Sequence, residues 1–140
     1  MSLNSFVRRA WSWNAVALVL VAAGTQGVLA EDAKPDSLDT VKKNVAEKKA
    51  LILDVREQSE WDAGHLKDAK LLSVTKIRAG ADPKATIPDA AKPGTIIYCH
   101  CKAGRRAADA AEILRKKGYD ARPLKEGYEA LLKAGFEKAP

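Results

Sequence analysis

The sequence contains few cysteines, since only Cys99 and Cys101 occur among its 140 residues. Small exported domains are often held together by disulfides, but these two cysteines are separated by a single residue. In a strand their Cβ atoms would lie roughly 6.6 Å apart, whereas a disulfide requires at most ~4.5 Å. A bridge that closes so short a loop would also add little stability. The scarcity of cysteine therefore excludes a disulfide framework.

Histidine and aromatic residues are scarce as well, with 2 histidines and an aromatic content of 6%. Cys99, His100 and Cys101 are neighbours, but successive side chains of a strand point to opposite faces, and no fourth metal ligand accompanies them. We therefore expect no metal and no other cofactor. The basic residues do not form a stripe interleaved with aromatic residues, so we predict that nucleic acid is not a partner.

Long apolar runs are also missing. The longest run, residues 15–23, is less than half as long as the ~20 residues that a membrane span requires. It follows Arg8 and Arg9 and precedes Val-Leu-Ala at 28–30, which is the pattern of a secretory signal peptide. We therefore predict a signal peptide at residues 1–30, with an uncleaved N-terminal anchor as the alternative. After cleavage the protein would be periplasmic or otherwise exported, without stable membrane association.

The remaining composition is that of one globular domain. Apolar residues make up 46% of the chain and charged residues 30%, and the length allows a single hydrophobic core. The formal net charge of +6 falls to +4 when Arg8 and Arg9 are removed with the signal peptide. This excess is typical of a solvated, lysine-rich surface, and it also favours small anionic ligands.

Strand and helix patterns alternate along the chain. Continuous apolar runs typical of buried strands are followed by segments with helical spacing of apolar residues. The alternation predicts an α/β fold with a mainly parallel central sheet flanked by helices. We predict a linker at 31–36, one domain at 37–140, helices near 37–45, 58–64, 104–117 and 128–134, strands at 50–55, 69–74, 95–100 and 119–124, and a loop with some helix at 75–94.

A short basic loop that begins with a cysteine lies between the clearest predicted strand and the clearest predicted helix. Its sequence, here called the cradle loop, is Cys101-Lys102-Ala103-Gly104-Arg105-Arg106. Ligands of α/β proteins bind at the carboxyl ends of parallel strands, and the N–H groups of a tight loop and of a helix N-terminus bind anions. These groups and the basic side chains favour the thiolate of Cys101, which is the nucleophilic form. The alternative is a buried structural cysteine that ends a strand.

The cradle loop resembles the active-site loop of rhodaneses, in which a catalytic cysteine opens a six-residue cradle with glycine at the fourth position. Leu53-Asp54-Val55-Arg56 resembles the family's strand end, and Glu60 to Leu66 resembles its aromatic-x-x-Gly-His-Ile segment. Leu124 to Phe136 resembles its closing pattern of glycines and alanines. The resemblance covers about residues 37–136 and is greatest to the periplasmic, phage-shock type of single-domain sulfurtransferase.

Four residues depart from the family pattern. Lys67 and Asp68 stand where the family often has Pro-Gly, Glu126 replaces the first of two glycines, and Leu131 replaces the usual tryptophan. These positions affect packing and turns near the rim of the site rather than the nucleophile itself.

The resemblance implies a rhodanese-like sandwich and a sulfurtransferase activity without a cofactor. Sulfane sulfur would pass from thiosulfate, or a similar small anionic donor, to cyanide or a thiol acceptor through a persulfide on Cys101. Asp54 and Arg56 would brace the loop, while His65 orders a turn and Trp61 belongs to the core. The residues implied to cradle the sulfur and its donor are Lys102, Ala103, Gly104, Arg105 and Arg106, of which the two arginines would attract and orient the anion.

Two other functions fit parts of the pattern. Five residues separate Cys99 from Arg105, as in the loops of phosphatases and arsenate reductases, but Cys99 would then lie inside the strand. The tighter spacing from Cys101 to Arg106 suits a single sulfur atom. A non-catalytic binding module of the same fold is the other alternative. Cys99 itself is interpreted as a core residue, or else as a thiol that resolves the persulfide.

Overall fold

A computed structural model describes residues 34–140 of the chain. The predicted signal peptide and the first half of the predicted linker lie outside the described residues. Within the described part of the chain, no helix is long and apolar enough to cross a membrane.

The described residues form four parallel strands flanked by helices. The strand order across the sheet is β2-β1-β3-β4, which confirms the predicted α/β fold. The elements are α1 (Leu38–Ala46), β1 (Ala50–Asp54), α2 (Gln58–Asp62), β2 (Ala69–Leu71), α3 (Val74–Arg78), α4 (Pro83–Thr86), a 3-10 helix (Pro88–Ala91), β3 (Ile96–His100), α5 (Arg105–Lys116), β4 (Asp120–Pro123) and α6 (Tyr128–Lys133).

Both ends of the helices α1 and α5 lie within one residue of the bounds that the sequence predicts. Ser37 caps α1, because its Oγ accepts a hydrogen bond of 3.2 Å from the N–H of Thr40. After α5, Gly118 adopts a φ of 92°, the left-handed conformation that glycine adopts most easily at a helix end. Local chemistry therefore defines the start of α1 and the end of α5.

The predicted strand at 69–74 is shorter in the structure. The strand β2 ends at Leu71, and Ser73 then caps α3 by accepting a hydrogen bond of 3.4 Å from the N–H of Lys76. Val74, predicted to end the strand, is instead the first residue of that helix. The following region, predicted as a loop with some helix, contains the rest of α3, α4 and the 3-10 helix.

The two central strands carry the candidate site at their carboxyl ends. All five residues of β1 are buried, and its parallel register with β3 places Leu53 beside Cys99 and Asp54 beside His100. Cys99 and Cys101 belong to the same core cluster, on the face of the sheet that α5 covers. The residues of α5 that pack there with no exposure are Ala107, Ala110, Ala111 and Leu114.

Candidate functional site

Cys101 is the first residue after β3, and only 1% of it is exposed. The backbone N–H of Gly104 donates a hydrogen bond of 3.0 Å to its Sγ. Gly104 is the N-cap of α5, with φ 90° and ψ −28°, a left-handed conformation that costs other residues strain. The cradle loop therefore turns back on itself and directs the N-terminal end of a 12-residue helix toward the sulfur.

The loop that precedes α6 packs directly against the cradle loop. The N–H of Tyr128 donates a hydrogen bond of 2.9 Å to the carbonyl oxygen of Cys101. A Cβ added at Gly127 would lie 1.7 Å from the carbonyl oxygen of Lys102, and one added at Gly104 would lie 2.9 Å from that of Lys125. Gly127 was part of the closing family pattern, but only the packing of the two loops shows that it lies against the site.

The two arginines of the cradle loop have different surroundings. Arg105 is exposed, and its side chain makes no hydrogen bond or ion pair with the described residues. Arg106 makes a bidentate ion pair, in which its two Nη atoms lie 2.6 and 2.9 Å from the carboxylate oxygens of Glu60. Of the two residues predicted to attract a donor, Arg105 is therefore available to solvent, whereas Arg106 has a partner within the protein.

Glu60 is a residue of this site that sequence reasoning did not single out. The hydrogen bonds from Arg106 lower the pKa of its carboxyl group to about 2, against a smaller opposing effect of burial. The signal that could have found it is the pair Glu57 and Glu60, which forms a capping box at the start of α2. Such a box indicates that the carboxylate has a fixed position.

Asp54 and Arg56 form a buried ion pair at the end of β1. Asp54 is fully buried, and Arg56 is 5% exposed. The shortest of their contacts is 2.7 Å, from Arg56 Nη2 to Asp54 Oδ2. Arg56 also donates a hydrogen bond of 2.8 Å to the carbonyl oxygen of Gly64, and its guanidinium lies 4.2 Å from the centre of the Tyr128 ring. The pair thus reaches the cradle loop through Tyr128, whose N–H holds the carbonyl of Cys101.

His100 is completely buried beside this ion pair. Its Nε2 lies 3.6 Å from Asp54 Oδ2, and neither ring nitrogen has a hydrogen-bond partner within residues 34–140. Burial lowers the pKa of His100, against a smaller opposing effect of the Asp54 charge. The ring is therefore neutral at physiological pH.

Cys99 lies inside the sheet and has no exposure. Burial raises the pKa of its thiol to about 12, so this cysteine stays protonated and unreactive near neutral pH. Within the part of the chain that the structure describes, no three side chains of the types that bind metals come together.

His65 and Trp61 stack on each other at the turn after α2. Their ring centroids are 3.6 Å apart, and the ring planes differ by 9°. The Nδ1 of His65 lies 3.1 Å from the carbonyl oxygen of Trp61. His65 thus contacts the turn that it was predicted to order, and Trp61 packs at the partly exposed edge of the core.

Comparisons with known proteins find the family described as the rhodanese-like domain, which matches residues 37–134. The tRNA uridine(34) hydroxylase of Chlamydia pneumoniae is 29% identical over 101 residues, which are 71% of this chain and 31% of the hydroxylase. An uncharacterized protein of Bacillus subtilis is 32% identical over 91 residues, 65% of this chain and 61% of that protein. This chain therefore spans about a third of the hydroxylase and less than two thirds of the Bacillus protein.

Solved structures show the same fold. A Helicobacter pylori protein is 31% identical, with a TM-score of 0.52 over 66% of this chain and 90% of that one. A rhodanese-like domain protein from Staphylococcus aureus is 28% identical, with a TM-score of 0.57 over 75% and 97% of the two chains. A human single-domain sulfurtransferase, at 24% identity, has a TM-score of 0.59 over 73% and 97%. This last likeness concerns the fold alone.

Proposed function

Because this chain belongs to the family of rhodanese-like domains, we propose that it is a sulfurtransferase that carries sulfane sulfur as a persulfide on Cys101. The observation that carries the proposal is the hydrogen bond of 3.0 Å from Gly104 N–H to Cys101 Sγ. A backbone donor directed at sulfur stabilises an anionic sulfur without titrating itself. The same donor can stabilise the thiolate before transfer and the persulfide after it.

The reaction proceeds in two displacements. In the first, the Cys101 thiolate attacks the outer sulfur of thiosulfate, the sulfur–sulfur bond of thiosulfate breaks, and sulfite leaves with the bonding electron pair. In the second, cyanide or the thiolate of an acceptor attacks the outer sulfur of the persulfide, and Cys101 leaves as a thiolate. A nucleophile that the cradle loop holds as a thiolate needs no general base.

Charge and burial favour a small anionic donor. Lys102 and Arg105 are exposed and have no carboxylate partner within the described residues, so their charges can attract an anion from solution. Cys101 is only 1% exposed, so the transferred sulfur must reach the floor of the cradle loop. Thiosulfate meets both conditions, since it is a small dianion with a terminal sulfur.

The alternative nucleophile, Cys99, has the wrong surroundings for a phosphatase or arsenate reductase. Its thiol is fully buried, with a pKa of about 12, so it neither contacts solvent nor ionises. A non-catalytic binding module would need no N–H donor directed at a cysteine sulfur. The hydroxylase activity of the Chlamydia relative belongs to a protein of which the match covers only 31%, and the described residues offer no observation that favours it.

We also propose that the protein acts in the periplasm or another exported compartment, as the phage-shock type does. The support is the signal pattern at residues 1–30. Expression of the full chain, followed by fractionation and mass measurement, tests this location. A periplasmic protein that begins at Glu31 is expected, whereas a full-length cytoplasmic product would contradict export.

Mass spectrometry of the purified protein after thiosulfate treatment tests the proposed activity. We expect the intact protein to gain one sulfur atom, which peptide mapping assigns to Cys101, and to lose it when cyanide is added. Steady-state kinetics with both substrates should give parallel double-reciprocal lines. The absence of any sulfur gain, or intersecting lines that indicate a ternary complex, would contradict the proposed mechanism.

A further inference from the structure

The ion pair between Arg106 and Glu60 joins two distant segments at the edge of the site. Arg106 is the second residue of α5, directly after the turn at Gly104, and Glu60 lies on α2. Both Nη atoms of the guanidinium contact the carboxylate, at 2.6 and 2.9 Å. The side chains are 30% and 29% exposed. This bidentate geometry holds the guanidinium in one orientation, as a single contact would not.

Glu60 is itself held in place from the other side. Its Oε2 accepts a hydrogen bond of 3.1 Å from the N–H of Glu57 within the capping box of α2. The carboxylate of Glu57 in turn accepts a hydrogen bond of 2.7 Å from Thr75 Oγ1, in α3. The carboxylate of Glu60 therefore cannot follow a moving arginine without breaking its capping hydrogen bond at the start of α2.

The pair also changes the charge near the sulfur. The hydrogen bonds with Glu60 are the largest cause that raises the pKa of Arg106, and the charge on Cys101 is a smaller cause in the same direction. Arg106 follows two residues after Gly104, whose N–H contacts Cys101 Sγ at 3.0 Å, so its charge lies on the first helical turn beside the sulfur. Since Glu60 is ionised near neutral pH, it cancels much of the positive charge that Arg106 would otherwise present to the thiolate.

We propose that Glu60 is a positioning residue for the cradle loop, which anchors the first turn of α5 through Arg106 and offsets the charge of that arginine at Cys101. This inference rests on the proposed function of Cys101 as the nucleophile. In this arrangement the backbone N–H of Gly104 acts on the sulfur, and the exposed side chains of Lys102 and Arg105 act on an incoming anion. Glu60 makes the two neighbouring arginines unequal in function.

The test compares Glu60→Gln with Glu60→Asp and with the matched control Asp109→Asn. Asp109 pairs with Arg78 at 2.6 Å and lies one turn further along α5, so its substitution breaks an arginine–carboxylate pair in which no side chain of the cradle loop takes part. The measurement is the rate of Cys101 alkylation by iodoacetamide as a function of pH, read by mass spectrometry. Melting temperature is recorded for every variant.

With Glu60→Gln, the uncancelled charge of Arg106 favours the thiolate. We expect the pH of half-maximal alkylation to fall, so that the rate at mildly acidic pH rises about threefold. Glu60→Asp keeps the negative charge but has a shorter side chain, so the pH of half-maximal alkylation should decrease less. If Glu60→Gln does not fold, Glu60→Asp alone provides the test. Asp109→Asn should leave the profile unchanged.

The proposal is overturned if both Glu60 variants have the same pH profile of alkylation as the wild type. It is also overturned if their profiles move to higher pH. Both conclusions hold whatever the melting temperatures show. An equal shift in Asp109→Asn overturns it as well. Alkylation does not require sulfur transfer, so this test is separate from that of the proposed activity. If thiosulfate adds no sulfur to the wild type while the Glu60 profiles shift as expected, the proposed function fails and the role of Glu60 in positioning stands.

Discussion

The two faces of the sheet differ in chemistry at the carboxyl ends of β1 and β3. On the face that α5 covers, Cys101 has apolar neighbours such as Ala107, and its sulfur is held by a backbone N–H. On the opposite face, Asp54, Arg56 and His100 are buried together. Backbone groups do not titrate, whereas these three side chains carry ionisable groups.

The difference separates reactivity from support. The nucleophile depends on the shape of the cradle loop, which glycine and close packing determine. The buried ion pair on the other face holds the ends of several loops in place, because Arg56 contacts Asp54, Gly64 and Tyr128. Substitution of Cys101 should therefore change chemistry with little change in stability, and substitution in the buried ion pair should do the reverse.

The largest effect on chemistry is expected from Cys101→Ser, with Cys99→Ser as its neighbour on the same face. Cys101→Ser should abolish sulfur transfer from thiosulfate, because the hydroxyl is not ionised and cannot form a persulfide. Cys99→Ser should retain most of the activity, since the buried thiol takes no part. A cyanide-dependent thiocyanate assay measures both. An inactive Cys99 variant beside an active Cys101 variant would instead favour the phosphatase-like spacing.

On the face of the sheet that carries Asp54, Arg56 and His100, Asp54→Asn should produce the largest loss of stability. It leaves the guanidinium of Arg56 buried without its countercharge, which costs about 3–5 kcal/mol. Urea unfolding measures the loss, and Asp89→Asn is the control, because the exposed pair of Asp89 with Lys92 contributes less than about 1 kcal/mol. A loss for Asp54→Asn no larger than that of the control would show that the buried pair does not support the fold.

His100, on the same face of the sheet, is expected to have a smaller effect on stability, and this effect depends on pH. Its folded-state pKa lies below the ordinary 6.5, so the unfolded chain binds a proton that the folded chain does not. Stability should fall as the pH drops below about 6.5, by up to about 1.4 kcal/mol per pH unit until the folded pKa is reached. Urea unfolding at neutral and mildly acidic pH measures this slope.

His100→Phe keeps the buried volume similar and removes the titrating ring. The variant should lose most of the slope between neutral and mildly acidic pH, where carboxylates remain ionised. His65→Phe is the control, since its ring is partly exposed. Equal slopes in the wild type and in His100→Phe would rule out His100 as the source of acid sensitivity.

The smallest effects are expected from the two arginines of the cradle loop taken singly. Arg105→Ala should raise the KM for thiosulfate by about tenfold at most. The KM of the variant should also depend less on salt, because salt screens the attraction by exposed charges. Its melting temperature should not fall, since a cation at a helix N-terminus is unfavourable. Arg106→Ala should instead lower the melting temperature by a few degrees, because it breaks the pair with Glu60.

Thiosulfate kinetics at low and high salt, with thermal unfolding, separate the two arginines. Equal kinetic effects of the two substitutions would contradict the different roles that their contacts indicate. A large fall in the melting temperature of Arg105→Ala, with unchanged kinetics, would show that this residue is structural.

Local chemistry explains which parts of the fold were predicted correctly. The apolar stripe Ala107, Ala110, Ala111 and Leu114 and the stop at Gly118 lie within a few turns of one helix, so their spacing alone indicates α5. The predicted end of β2, by contrast, was wrong, because Ser73 caps α3 and Val74 is buried as part of that helix. An apolar residue after a strand is compatible with both structures, and only packing selects one.

The position of Cys101 at the start of a glycine-containing basic loop, after a buried strand and before a helix, is a property of consecutive residues, and the sequence by itself determined it. The contacts that complete the site join residues far apart in the chain. Glu60 and Arg106 are separated by 46 positions, and Gly127 touches Lys102 through backbone atoms that carry no sequence signal. Parallel strands bring the loops at their carboxyl ends to one edge of the sheet whatever their separation in sequence. For that reason only the tertiary structure decided which arginine is paired, which glycine lies against the cradle loop and which histidine is buried beside the ion pair of Asp54 and Arg56.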